Sequence, residues 1–197
     1  MDSKRLKKQI EFVVEIDRLK SIARQTLLTD GARQENSAEH SWHLAVMALV
    51  LSEHAGEGPL DLARVLKMVL VHDLVEIDAG DTYCYDEDAN KGKAEREERA
   101  AERIFGLLPG DQSSALRSLW EEFEARETPE AKFAGALDRL QPLLNNYTSQ
   151  GRMWRKHGIE SRQVYQRNRP IEEGAPALWD YAEAMIRDAI VKGWIKE

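Results

Sequence analysis

From Val69 to Asp81 the chain reads Val-Leu-Val-His-Asp-Leu-Val-Glu-Ile-Asp-Ala-Gly-Asp, and this stretch restricts the fold more than any other. Upstream, Leu62, Val65, Leu66 and Val69 recur at the i, i+3, i+4, i+7 spacing of a core-facing helical stripe, and continuing the count lands on Asp73 and Glu76. The stripe therefore ends in carboxylates. His72 and Asp73 lie four and three residues before Glu76, so the three side chains project from one side of the last turns toward the interior. An unpartnered ion buried there would be strongly unfavourable; it must lose its charge, pair, or coordinate a metal. Adjacent His and Asp favour the metal. The same dipeptide also occurs at helix ends as a surface acid beside a hydrogen-bonded histidine, so the rest of the chain has to decide.

Two further segments carry polar groups in apolar surroundings. Asn36-Ser37-Ala38-Glu39 has a capping residue with a Glu three positions later, which starts a helix running to about His54. That helix is apolar nearly all round (Trp42, Leu44, Val46, Met47, Leu49, Val50, Leu51), as expected of a central buried element, with His40 and His43 in its first turns. His40 is placed near the core; His43 is left between sharing a metal and a hydrogen-bonded core role. The second segment starts with Thr128 as N-cap and Pro129 at the first helical position, and Phe133, Leu137, Leu140 and Leu144 then form a stripe in which Asp138 is a carboxylate at a core boundary. Pro142 would kink that helix locally.

Other elements read as helices as well. Leu6, Ile10, Val13, Val14, Ile16, Leu19 and Ile22 trace an amphipathic first helix over about Lys4–Ala23, after which Arg24 offers a planar fork suited to phosphate. A third helix spans about Leu60–Glu76; Asp86 to Gly92 reads as a polar loop; Lys93 to Ile104 as an exposed, ion-paired helix; and Leu116 to about Glu127 as another amphipathic one. Beyond Gly151, Trp154, Tyr165, Trp179, Tyr181 and Trp194 supply apolar anchors, with a terminal helix over Leu178–Ile195; His54 is assigned to the surface and His157 to the surface or a lid. Strand-like alternation and a glycine-rich phosphate loop are both missing from this pattern, so the expected architecture is all-α. One domain over 1–197 is expected, with a core of about 12–147 and a C-terminal helical extension of about 151–197.

Composition narrows the partners. A net charge of −7 argues against bulk binding to nucleic acid or to an anionic membrane surface. The longest apolar run, Leu44 to Leu51, is far too short to span a bilayer, and the basic start leads into an amphipathic pattern instead of a secretory core. Cys84 is the single cysteine, so a disulfide framework and a thiolate metal site are excluded; a reducing, cytoplasmic setting is expected. Its acidic, aromatic loop should raise the thiol pKa.

Taken together, His40, His72-Asp73 and Asp138 resemble the H…HD…D signature of the HD-domain superfamily of phosphohydrolases. Ser37-Ala38-Glu39-His40-Ser41 is similar to the family's S-x-E-H segment, His72 through Asp81 matches H-D-x-x-E-x-x-x-G-D, and Ala131 to Asp138 resembles its last ligand helix. The match runs from about Phe12 to Tyr147 and is nearest the branch of 5′-deoxynucleotidases and HD domain-containing protein 2. The resemblance implies an HD-type helical bundle with His40, His72, Asp73 and Asp138 as metal ligands. With no histidine between Asp73 and Asp138, one metal is expected, and the mixed N/O set suits Mn²⁺, Co²⁺, Fe²⁺, Ni²⁺ or Zn²⁺. It further implies release of phosphate from nucleoside 5′-monophosphates, deoxyribonucleotides in particular, with Arg24 on the phosphate and Glu76 and Asp81 handling the water and the leaving-group proton. A nucleotide-sensing module without turnover, or a hydrolase of nucleoside triphosphate or guanosine polyphosphate, would use the same ligands. A homodimer is also expected from the family and from the C-terminal aromatics. Gln25 departs from the tryptophan that bacterial deoxynucleotidases carry after the arginine, which leaves sugar choice open.

Overall fold

The computed structural model describes residues 3–56 and 58–197. Met1, Asp2 and Glu57 lie outside it. A first helix, α1 (Ser3–Glu15), continues as a tighter 3₁₀ turn (Ile16–Ser21) and then extends into β1 (Ala23–Leu27), which pairs antiparallel with β2 (Gln34–Asn36). This small hairpin is a minor addition to an otherwise helical architecture that bears out the all-α expectation; the local correction is that Arg24, Gln25 and Thr26 belong to a strand and not to the loop after a helix. The helical pattern beyond about Ser21 gives way because the pairing with β2 satisfies the backbone there.

Asn36 then caps α2 (Ser37–Leu51), accepting from the Glu39 amide while the Glu39 side chain accepts from the Asn36 amide, the reciprocal box read from the sequence. The helix α3 (Leu62–Val71) delivers the His-Asp stretch, but the winding tightens to 3₁₀ over His72–Val75 before one turn of α4 (Glu76–Ala79), so the helix is not continuous to Glu76. Gly80, at φ 76°, ends it in the left-handed region that a side chain would disfavour. A short α5 (Glu87–Asn90) occupies the polar stretch, capped by Asp86. Then come α6 (Lys93–Gly106), α7 (Gly110–Ala125) and α8 (Pro129–Thr148), the last capped by Thr128 and carrying Pro142 without ending. The C-terminal part comprises α9 (Arg152–His157), α10 (Ser161–Asn168), α11 (Ile171–Gly174) and α12 (Pro176–Val191).

One cluster of buried side chains runs through all of this. Leu44, Val65, Val69, Phe123, Phe133 and Leu137 share it with Trp154, Val164, Ile171, Trp179 and Ile186 from beyond Gly151. The long α8 is the axis: Phe133, Ala134, Ala136 and Leu137 are fully buried, and α2, α3, α7, α10, α11 and α12 all pack on it. Close approach of α11 is possible because Gly174 has no side chain; a Cβ there would stand 2.2 Å from the Lys132 carbonyl oxygen. The α2 expectation needs correction, since Trp42, Leu49 and Val50 are more than half exposed. Likewise α1 buries Phe12 and turns Leu6, Ile10, Val13 and Val14 outward, and Tyr181 is exposed where an anchor was expected.

Candidate metal centre

Three elements converge where α8 crosses α2 and the end of α3. His40 enters from the first turn of α2, His72 and Asp73 from the 3₁₀ turn after α3, and Asp138 from the middle of α8. All four are buried. Ligand-type atoms of His40, His72 and Asp73 lie within 4.8 Å of one another. Asp138 Oδ1 is 3.1 Å from His40 Nε2 and 3.8 Å from His72 Nε2, and Asp73 Oδ2 is 4.0 Å from His40 Nε2. The spacing brings together two imidazole nitrogens and two carboxylates, an N/O donor set suited to a divalent cation.

The tighter winding aims the His72 ring. Nδ1 of His72 donates to the Val69 carbonyl at 3.0 Å, which turns Nε2 into the cluster. Although that nitrogen is 3.0 Å from Asp73 Oδ1, the contact is poorly aligned and Nε2 has no hydrogen-bond partner. A buried ring nitrogen aimed at carboxylates with no partner of its own fits the role of a metal ligand. Burial disfavours a charged His72 ring, but Asp73 and Asp138 outweigh it and hold the pKa up at about 9. Asp138 moves the other way: burial raises it, while the His40 and His72 rings that face it hold it well below the ordinary carboxylate range.

Beside the cluster, β1 inserts Arg24. Its Nη1 donates to Asp73 Oδ2 at 2.7 Å and stands 3.9 Å from Glu76 Oε1 and 3.8 Å from Asp81 Oδ1. The guanidinium is buried, and the acids around it overcome the cost of desolvation, so its charge is permanent. Ser37 donates to Glu76 Oε2 at 2.6 Å. Burial, with Asp73 adding repulsion, pushes the Glu76 pKa well above its usual value, and burial also raises that of Asp81. These two carboxyls therefore retain protons more readily than exposed ones, which suits proton transfer.

An open pocket of about 960 Å³ of empty space covers the cluster, lined by Arg24, Gln25, Asp73, Glu76, Asp81 and Asp138 together with Lys93, Glu97, Trp154 and Arg167. The helix α6 is thus not purely an exposed charged element: Glu97 is buried and pairs with Lys93 at 3.3 Å on the pocket wall. Arg167, from α10, reaches within 3.8 Å of Asp138 Oδ2. His43 contacts Gln141 instead of joining the cluster, and His157 packs its ring at a tilt against pocket residue Tyr83, with ring centroids 4.8 Å apart. Cys84 lies at the pocket rim, where the protein crowded around the thiol pushes its pKa up, with Asp138 and Asp81 adding repulsion. Sequence reasoning missed Glu35, Gln141, Lys93, Glu97 and Arg167. For Gln141 a signal existed: it follows Asp138 by three residues and so shares its helical face.

A helical domain that gathers buried His, His-Asp and Asp groups from three helices over an Arg-lined pocket defines a recognisable class, that of HD-type metal-site domains. The HD domain family model matches residues 16–179, and the chain belongs to that family. Among curated relatives, the human protein named 5′-deoxynucleotidase HDDC2 is 33% identical over 136 residues, 68% of this chain and 65% of the relative. The chain thus matches just under two thirds of that protein's length. A Schizosaccharomyces pombe protein named 5′-deoxynucleotidase hdd1 is 21% identical over 95% of this chain and 87% of its own. Among solved structures, one from Magnetospirillum magnetotacticum MS-1, named as a predicted metal-dependent phosphohydrolase, is 52% identical over 98% of this chain and 96% of its own, with a TM-score of 0.93. An HD-domain phosphohydrolase from Listeria innocua has the same fold at 17% identity and a TM-score of 0.60, covering 92% of this chain and 85% of its own.

Proposed function

We propose that this protein is a metal-dependent phosphohydrolase that releases phosphate from nucleoside 5′-monophosphates, deoxyribonucleotides in particular. The observation that carries the reading is the partnerless Nε2 of His72, facing Asp73 and Asp138 beside the buried, permanently charged Arg24. The names of the human and fission-yeast relatives support the substrate class.

His40, His72, Asp73 and Asp138 would hold one divalent cation per chain, with Mn²⁺, Co²⁺, Fe²⁺, Ni²⁺ or Zn²⁺ all fitting the donor set. Bound there, a cation supplies Lewis-acid polarisation of phosphoryl oxygen and a lowered pKa for water. Arg24 binds and orients the phosphate dianion, exchanging part of its pairing with Asp73 for a phosphate oxygen. Glu76, held by Ser37, orients the attacking water and takes its proton; Asp81, on the same pocket wall, returns a proton to the leaving 5′-oxygen. Gln25 and Trp154 line the same pocket and face the nucleoside portion.

The chain acts as one domain, and we further propose that it works in the cytoplasm as a homodimer. The outward apolar side chains of α1 and α2, among them Val13, Val14, Trp42, Leu49 and Val50, support the dimer. No helix among the described residues is long and apolar enough to cross a membrane.

The test is product analysis on ribo- and deoxynucleoside 5′-monophosphates, a nucleoside triphosphate and a guanosine polyphosphate, with chelator-stripped protein resupplied with Mn²⁺, Co²⁺, Mg²⁺ or Zn²⁺. Inorganic phosphate from the monophosphates is expected, fastest from the deoxyribo series. Pyrophosphate as the product, or release from none of them, would reject the reading.

A further inference from the structure

His40 presents Nε2 to Asp138 and Asp73, so its proton has to sit on Nδ1 if the ring is to act as a ligand. The group that decides this is Gln141. Its Oε1 lies 3.0 Å from His40 Nδ1, and an amide oxygen can only accept, which makes Nδ1–H the donor and leaves the Nε2 lone pair for a cation.

An amide could be turned end for end, and two neighbours prevent it. Gln141 Nε2 donates to Glu35 Oε1 at 2.6 Å and lies 3.2 Å from His43 Nδ1, which accepts. Reversing the amide would set an oxygen against the Glu35 carboxylate and an NH₂ against the His40 N–H. His40 and Gln141 are 0% exposed and Glu35 2%, so no solvent is at hand to repair a broken contact. Glu35 is itself placed by the hairpin: it is the middle residue of β2, and its second oxygen, without a hydrogen-bond partner, stands 3.9 Å from Arg24 Nε, equally without one.

We propose that Gln141, locked in one orientation by Glu35, is a positioning residue that fixes the His40 tautomer for cation binding, and that the same pair ties the hairpin bearing Arg24 to the metal side of the pocket. The proposal rests on the reading of His40 as a ligand. A buried polar contact to the far nitrogen of a ligating histidine is typically worth about 10–100-fold in metal affinity.

The experiment measures Co²⁺ affinity and the visible Co²⁺ spectrum of chelator-stripped protein for the wild type, Gln141→Leu, Gln141→Glu, and the reciprocal pair Glu35→Gln with Gln141→Glu, alongside metal-free unfolding temperature. Gln141→Leu should weaken Co²⁺ binding about 10–100-fold. Gln141→Glu alone should also weaken it, because two carboxylates then face each other, and adding Glu35→Gln should recover most of the loss by restoring one donor and one acceptor in reversed order. In the Zn²⁺-loaded wild type, ¹⁵N-labelled His40 should carry its proton on Nδ1, a result independent of how any variant folds. Unchanged Co²⁺ affinity in folded Gln141 variants, no recovery in the reciprocal pair, or an Nε2 proton on His40 would overturn the proposal. A wild type that binds no Co²⁺ would overturn the metal reading and this inference together, which separates the two failures.

Discussion

At the scale of single residues, the centre is defined by competition between protons and a cation for the same nitrogen. His72 in the metal-free protein is held at about 9, above its ordinary 6.5, by Asp73 and Asp138. A raised folded-state value means that protonated His72 stabilises the metal-free fold below about pH 6.5 and that this contribution fades as pH climbs through 9. The bound cation must displace that proton, so apparent metal affinity should rise between pH 6.5 and 9 and level off above it. Calorimetric titration with Co²⁺ in buffers of different ionisation heat measures the proton released. Affinity flat across that interval would detach His72 from the cation. The HD pair and the Asp138 anomaly were legible because a carboxylate in an apolar stripe breaks a pattern. Glu35 and Lys93 were not, since a charged residue beside a helix cap or on a charged helix breaks none.

Among the elements, local capping chemistry carried over to the structure with little change: the Asn36–Glu39 box and the Thr128–Pro129 start both lie where the sequence puts them. The hairpin did not, because β1 is only five residues, Ala-Arg-Gln-Thr-Leu, without apolar alternation, and its stability comes from pairing with β2 and packing under α8. The change to 3₁₀ winding at His72 escaped for a related reason: periodicity reads which face a residue takes, not how tightly the turn is wound. The segment after Gly151 proves structural as well as peripheral to the motif. Its Gly174 lets α11 meet the α8 backbone, so Gly174→Ala should destabilise the protein by about 1–3 kcal/mol through forced backbone displacement. Urea unfolding of the metal-free protein checks this, and a change below about 0.5 kcal/mol would mean that α11 is free to shift.

For the whole molecule, the apolar outward faces of α1 and α2 are the feature that helical periodicity could not resolve. A helix apolar on every side reads as buried whether its cover comes from its own chain or from a second copy. Light scattering should therefore give about twice the 22.5 kDa of one chain, and Val14→Glu with Leu49→Glu should shift it to the monomer; a wild-type monomer would reject the dimer. Whether one cation held by His40, His72, Asp73 and Asp138 makes this protein a phosphohydrolase is decided by a metal titration. Chelator-stripped protein would be titrated with Co²⁺ while phosphate release from a deoxynucleoside 5′-monophosphate is followed, for the wild type and for His72→Ala. Release should climb linearly and break at one equivalent per chain, with none from His72→Ala at that point. Full release from the stripped protein, or an active His72→Ala, would contradict it.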